Sequence, residues 1–186
     1  MVARPPLRLR VERMTLDDVA AVHRIESASF PVPWPDYAFR QELQTNRLAH
    51  YVVVRAGEEA VGYGGLWLMV DEAHITTIAV LPQWRRHGIG GRLLLELMGI
   101  SRELGARVMT LEVRLSNSAA RSLYQKFGFH PVGIRPRYYS DNGEDALILT
   151  TEPLSTPDME ARFAELEQRY SGGADDTQRP VPEEPA

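Results

Sequence analysis

Four stretches of this sequence combine residue types and spacings that could do chemistry. The first is Arg85-Arg86-His87-Gly88-Ile89-Gly90, directly ahead of a leucine-rich helical pattern. A helix that starts near Gly88 offers unpaired backbone N–H groups and a positive dipole end. Gly88 and Gly90 permit left-handed backbone and a close approach to a ligand, and Arg85 and Arg86 add charge. Such a nest suits a phosphate or pyrophosphate. A Walker loop would need Lys-Ser/Thr after its last glycine, and a dinucleotide fingerprint would need glycine where Leu93 stands. Neither pattern is met.

The second stretch is the strand-like "RVMTLEVRL" from Arg107 to Leu115. Met109, Leu111, Val113 and Leu115 share one face, so Glu112 points the other way beside Thr110 and Arg114. A carboxylate in a central strand is costly unless it is paired or working. Two readings stay open for Glu112: an ion pair with Arg114 or another arginine, and a general base. Third is Tyr124, one turn before Gly128, a core or rim residue that could also donate a proton. Asn117 stands at the start of its helix as an N-cap. Fourth is "TTIAV", ending before Pro82, whose backbone at Ile78, Ala79 and Val80 could pair with an amide-bearing ligand as a strand edge does, or simply be a buried strand.

These candidates need elements to hold them. "LRLRVERM" alternates as a strand, and Thr15 caps a helix running to about Ala28. Three prolines keep 31–35 out of a helix, and Asp36 caps a second helix to about Leu43. Two strands with a turn at Gly57 follow, then a third through "EAHITTIAVL". Ile89, Leu93, Leu97, Ile100 and Leu104 form one face of a helix closed by Gly105. Strand 107–115, a helix from Asn117 to Gly128, and two strands turning at Asn142-Gly143 complete the order β-α-α-β-β-β-α-β-α-β-β. This predicts an α/β (mixed α+β) fold: about seven strands in a mixed sheet, an antiparallel meander joined to a parallel crossover, with helices on both faces. The domain is expected over residues 1–152. An extra helix follows over 153–170, with Met159, Phe163, Leu166 and Tyr170 as its apolar stripe, docked on its own domain. A polar, Gly- and Pro-rich tail over 171–186 is expected to be disordered.

Composition narrows the chemistry. The chain has 186 residues, 44% hydrophobic and 25% charged, with a net charge of −4, which argues against a nucleic-acid surface and suits a cationic substrate. It contains no cysteine, which excludes thiol nucleophiles, disulfides and thiolate metal sites. Its five histidines, His23, His50, His74, His87 and His130, lack metal-site spacing and read as structural or surface residues, so no metal is expected. Nothing reads as a signal peptide or membrane span, which places the expected location in the cytoplasm.

Arg85 to Gly90, after a strand and opening a long helix, resembles the pyrophosphate loop of the GNAT N-acetyltransferases. The string Leu111-Glu112-Val113-Arg114-x-Ser116-Asn117-x-x-Ala120-x-x-Leu123-Tyr124-x-x-x-Gly128-Phe129 resembles the RimI branch, the ribosomal-protein alanine N-acetyltransferases. So do Ile25-Glu26, Ser29-Phe30, Trp34, Phe39 and Glu42-Leu43, and the run from Arg137 through Glu144-Asp145 to Leu149. The likeness spans almost all of residues 7–150. It implies a GNAT fold and transfer of acetyl from acetyl-CoA to the N-terminal α-amine of a protein, the alanine of a small-subunit ribosomal protein. Glu112 would accept the proton and Tyr124 donate one. Ile78, Ala79, Val80, Arg86, His87, Gly88, Ile89, Gly90, Gly91 and Asn117 would bind acetyl-CoA, with Trp34, Tyr138 and Tyr139 lining the peptide groove. Transfer would be direct, with no metal and no covalent enzyme intermediate. Two departures stand out: Gly91 replaces a residue often basic in this loop, and the segment after Glu152 has no counterpart. Alternative readings are a GNAT acting on a small amine or on many protein N-termini, and a non-catalytic acyl-CoA-binding module.

Overall fold

Seven strands and five helices follow one another in the predicted order in the computed structural model, which describes residues 8–171. The expectation for the tail falls, from residue 172 on, outside the described residues. β1 (Leu9–Arg13) is followed by α1 (Val19–Ser29) and α2 (Asp36–Thr45). β2 (Ala49–Ala56), β3 (Glu59–Met69) and β4 (Glu72–Val80) come next, then α3 (Ile89–Glu103), β5 (Val108–Arg114) and α4 (Ser118–Lys126). β6 (Phe129–Arg135), β7 (Ala146–Thr151) and α5 (Pro157–Ser171) complete the chain. The sheet order is β1-β2-β3-β4-β5-β7-β6. Only β4 and β5 run parallel, joined by α3; every other neighbouring pair is antiparallel.

Period-two alternation divides the strands between two cores. On β2, Val52, Val54 and Ala56 enter the core beneath α3, whereas Tyr51 and Val53 enter the one beneath α1 and α2. The α3 face is built from Ile89, Leu93, Leu97 and Ile100, as its spacing requires, and all four are buried. Gly62 of β3 is needed here, because a Cβ at that position would meet Ile89 Cγ2 at 2.9 Å and Ala79 O at 3.1 Å. Met159 and Leu166 of α5 are buried in the same core, with Phe163 and Tyr170 packed against it, so the extra helix docks on its own domain.

Two local expectations are corrected. Asp36 does not cap α2; it is the first helical residue, and extended Pro35 holds the N-cap position. Gly90 lies inside α3 and takes no left-handed conformation; in the loop ahead of α3 that conformation belongs to Gly88 (φ 74°) and to Arg86 (φ 69°).

The β3–β4 hairpin tip carries a conformational cost. Val70 has φ 58° and is 98% exposed, so a β-branched residue sits in left-handed backbone with no packing to compensate. Val70→Asn, which tolerates that region, is expected to raise stability by about 1 kcal/mol, read from the urea midpoint at constant m-value.

Candidate active site

The parallel ladder between β4 and β5 is short. It pairs Glu72 with Val108, Ala73 with Met109 and His74 with Thr110, and there it stops, although β4 continues to Val80 and β5 to Arg114. The strands splay beyond that point and open a cleft of about 610 Å³. Thr76 has no partner on β3: Leu66 faces Ile75 while Gly65 faces Thr77, a bulge that re-aims β4 at the mouth of the opening. The Leu81 N–H bonds Val61 O across β3. Strand alternation then turns the Ala79 backbone toward β3 and those of Ile78 and Val80 toward the open edge. Of the three candidates on this strand, Ile78 and Val80 offer backbone groups to a ligand. The Val80 carbonyl also accepts from Arg85 Nε at 3.2 Å.

At the C-terminal end of β4, a 3-10 turn (Pro82–Trp84) leads to the loop. The His87 Nδ1–H donates to the carbonyls of Arg85 (2.9 Å) and Trp84 (3.2 Å), and its ring packs edge-on against Trp84. His87 therefore shapes the loop from within. Gly88 caps α3 in the left-handed region, which leaves the first N–H groups of α3 without intrahelical partners. Ile89 is buried in the core, and Gly91 is buried beneath Tyr170.

Glu112 lies on the β5 lip of the cleft, its side chain 8% exposed. Its partners are His74 Nε2 at 3.0 Å and Arg135 Nε at 2.9 Å. Arg114, one of the partners the sequence left open, instead binds Asp141 (2.8 Å) and Glu144 (3.2 Å). His74 and Arg135 hold the Glu112 carboxyl below the usual carboxylate range, overriding the opposing effect of burial. Behind it runs a polar chain. His74 Nδ1 lies 3.0 Å from Thr110 Oγ1, and Thr110 donates its proton to Glu72 at 2.8 Å. The His74 ring is thereby held between Thr110 on one side and Glu112 on the other.

Tyr124 of α4 also lines the cleft, its ring edge-on to Phe129. Its hydroxyl makes no hydrogen bond among the described residues, and burial raises it above the ordinary phenol range, which keeps its proton in place. Asn117 lines the cleft and caps α4, its Oδ1 accepting from the Ala120 N–H at 3.1 Å.

The outer wall is built by two loops. Tyr138 and Tyr139 belong to a segment pinned by Arg114, whose guanidinium lies 3.8 Å over the Tyr139 ring while pairing with Asp141 and Glu144. Glu144 also accepts from the Ser116 N–H, and its carboxyl falls to about 2. Trp34 belongs to the proline-rich loop opposite. Its backbone N–H donates to Glu26 Oε1 at 3.1 Å, and its ring packs on Phe39. Glu26 is buried, with the Tyr63 hydroxyl on its other oxygen; burial raises its carboxyl despite that bond.

The cleft thus brings together Ile78, Glu112, Asn117, Tyr124, Trp34, Tyr138 and Tyr139. Arg86, His87 and Gly88 form a separate turn beyond the end of β4, with Gly90 in the first turn of α3. Among the lining residues that were not candidates, His74 and Glu26 carry ionisable or proton-bearing groups. No local pattern marks His74, which meets Glu112 only through the β4–β5 register. Glu26 did carry a signal: a glutamate on the apolar face that also carries Val19, Val22 and Ile25, four residues before Phe30.

A model described as the acetyltransferase (GNAT) family matches residues 19–129. The chain is 45% identical over 139 residues to a Bacillus subtilis protein provisionally named a ribosomal protein bS18-alanine N-acetyltransferase, covering 75% of this chain and 92% of that one. It is 43% identical over 121 residues to the Mycobacterium tuberculosis protein named N-alpha-acetyltransferase RimI, covering 63% and 74%. The crystal structure of the ribosomal-protein-S18-alanine N-acetyltransferase from Escherichia coli superposes with a TM-score of 0.73 at 29% identity, over 80% of this chain and 96% of that one.

Proposed function

The chain belongs to the GNAT acetyltransferase family, and we propose that it moves the acetyl group of acetyl-CoA onto the α-amine of a protein N-terminus, the alanine of ribosomal protein bS18. The names of its relatives point to that substrate. The observation that carries the reading is the splayed β4–β5 opening, with Glu112 of β5 and Tyr124 of α4 both lining it. On the same reading the domain spans residues 1–152 and works in the cytoplasm, where its ribosomal substrate is made. Among the described residues no helix is long and apolar enough to cross a membrane.

The residues fit the co-substrate. The Gly88 turn and the unpaired N–H groups of α3 suit a pyrophosphate, with Arg86 beside them. The free edge at Ile78 and Val80 suits the amides of a pantetheine arm. A strand-edge N–H would polarise the thioester carbonyl.

Glu112 takes the proton that the amine gives up as its bond to carbon forms. A carboxylate held below the usual range is a weak base, so the substrate matters. An α-amine, with a pKa of about 8, is roughly one-tenth neutral at pH 7, whereas a lysine, at about 10.4, is almost wholly charged. Glu112 suffices for the first and not for the second. Tyr124 hands its proton to the departing thiolate. No side chain needs to carry the acetyl group.

The pH dependence follows. Glu112 is ionised throughout the working range because its pKa is depressed. The value of kcat/KM for an Ala-first peptide should therefore rise with pH to a plateau near the amine's pKa of about 8, with no separate inflection from Glu112. The same depression means that the Glu112 ion pairs stabilise the fold above the ordinary carboxyl range. That contribution is lost only as the pH falls through the lowered value.

His74 acts as a positioning residue by fixing the Glu112 carboxylate. His74→Ala removes a charge-assisted hydrogen bond and should lower kcat by roughly 10- to 100-fold with little change in acetyl-CoA KM. The proposed function itself is tested with acetyl-CoA and an Ala-first bS18 peptide that also carries a lysine, read by tandem mass spectrometry. Acetyl on the α-amine alone is expected. Acetyl on lysine alone, or no acetylation despite acetyl-CoA binding, overturns the reading.

A further inference from the structure

α5 packs along α3 and reaches the C-terminal end of α4. Arg162 Nη1 donates to the Lys126 carbonyl at the end of α4, at 3.0 Å. The Phe163 ring lies under the Arg102 guanidinium of α3, at 4.3 Å. Near its end Tyr170 stacks on Phe127, the residue that caps α4, with centroids 5.8 Å apart and planes at 29°. The hydroxyl-bearing end of the same ring fills the space over Gly91. A Cβ built there would lie 2.2 Å from Cε1, 2.3 Å from Cζ and 2.6 Å from the hydroxyl oxygen of Tyr170. The ring is therefore a wedge between the first turn of α3 and Phe127, the C-cap of α4.

Both ends of that wedge matter to the site. Gly91 is the third residue of α3, among the four whose N–H groups have no intrahelical partner. α4 carries Asn117 and Tyr124, and on the near side of the gap a Cβ on Gly90 would touch Leu123 Cδ2 at 3.3 Å, next to Tyr124. The Gly90–Leu123 approach and the Tyr170 ring together set the distance from the anion turn to the proton donor. One co-substrate of fixed length must reach both.

We propose that Tyr170, from a helix beyond the end of the family match at residue 129, is a positioning residue for acetyl-CoA: its ring holds the start of α3 at the spacing from α4 that the co-substrate requires. This rests on the reading of the cleft as an acetyl-CoA site.

The test uses the full chain, with acetyl-CoA binding measured by calorimetry alongside steady-state kinetics. Tyr170→Ala should raise both Kd and KM for acetyl-CoA about tenfold, leaving kcat within about twofold and peptide KM unchanged. Tyr170→Phe should match the wild type, because the ring does the spacing. Gly91→Ala expels the ring and should weaken binding similarly. Added to Tyr170→Ala it should cost little more, since both remove the same contact. Wild-type Kd in Tyr170→Ala overturns the inference. So does a loss of kcat and both KM values together with a collapse in Tm, the signature of a merely structural role. A wild-type protein that does not bind acetyl-CoA at all overturns the reading of the cleft, and the inference with it.

Discussion

Glu112→Gln is expected to lower kcat by about 10²- to 10⁴-fold, the range typical of a positioned general base, while acetyl-CoA affinity stays within about twofold. The substitution keeps size and hydrogen-bonding reach but removes the charge. Arg135 and His74 lose their acceptor charge and the attacking amine loses its proton acceptor. Because Glu112 lies on β5 in the cleft, apart from the glycine turn ahead of α3, the loss should fall on turnover, with that turn left intact. Steady-state kinetics with calorimetric binding of acetyl-CoA checks this. A variant with wild-type kcat would leave Glu112 as nothing more than an ion-pair partner for Arg135.

Tyr124→Phe should cost about 10² in kcat or more, again with acetyl-CoA binding retained. The Tyr124 hydroxyl has no partner among the described residues, so its removal orphans no other group and the fold should lose little stability. The ring contact with Phe129 survives in the variant. Burial keeps the phenol protonated across the physiological range, so it meets a departing thiolate as a donor. Equal Tm values with a large drop in kcat are expected. Unchanged kcat would assign protonation of the thiolate to water.

The fold was largely legible in the sequence because its signals are local. Apolar spacing on α3, alternation on β5 and turn residues at Gly57 and Asn142-Gly143 each act within one element. The site was legible in part, and the division has a physical cause. Alternation alone gave the face of Glu112. Its partners were not legible, since His74 and Arg135 come from other elements and meet it only through tertiary placement. Gly91 shows the same limit. In sequence it belongs to a glycine-rich loop, but its lack of a side chain is explained by Tyr170, which is 79 residues away in the chain and lies against it in space. Gly90 was assigned a left-handed role that the structure gives to Arg86, because a glycine's freedom does not require its use.

The central claim is that an N-terminal amine and an acetyl thioester meet in the β4–β5 opening beside Glu112. The most direct test is the binding of a conjugate that joins the sulfur of coenzyme A, through an acetyl bridge, to the α-nitrogen of an Ala-first peptide. If both half-sites converge there, the conjugate should bind about 100-fold tighter than coenzyme A alone and compete with both substrates, because one ordering cost serves two sets of contacts. A conjugate that binds no tighter than coenzyme A, or that leaves the peptide uncompeted, would contradict the account.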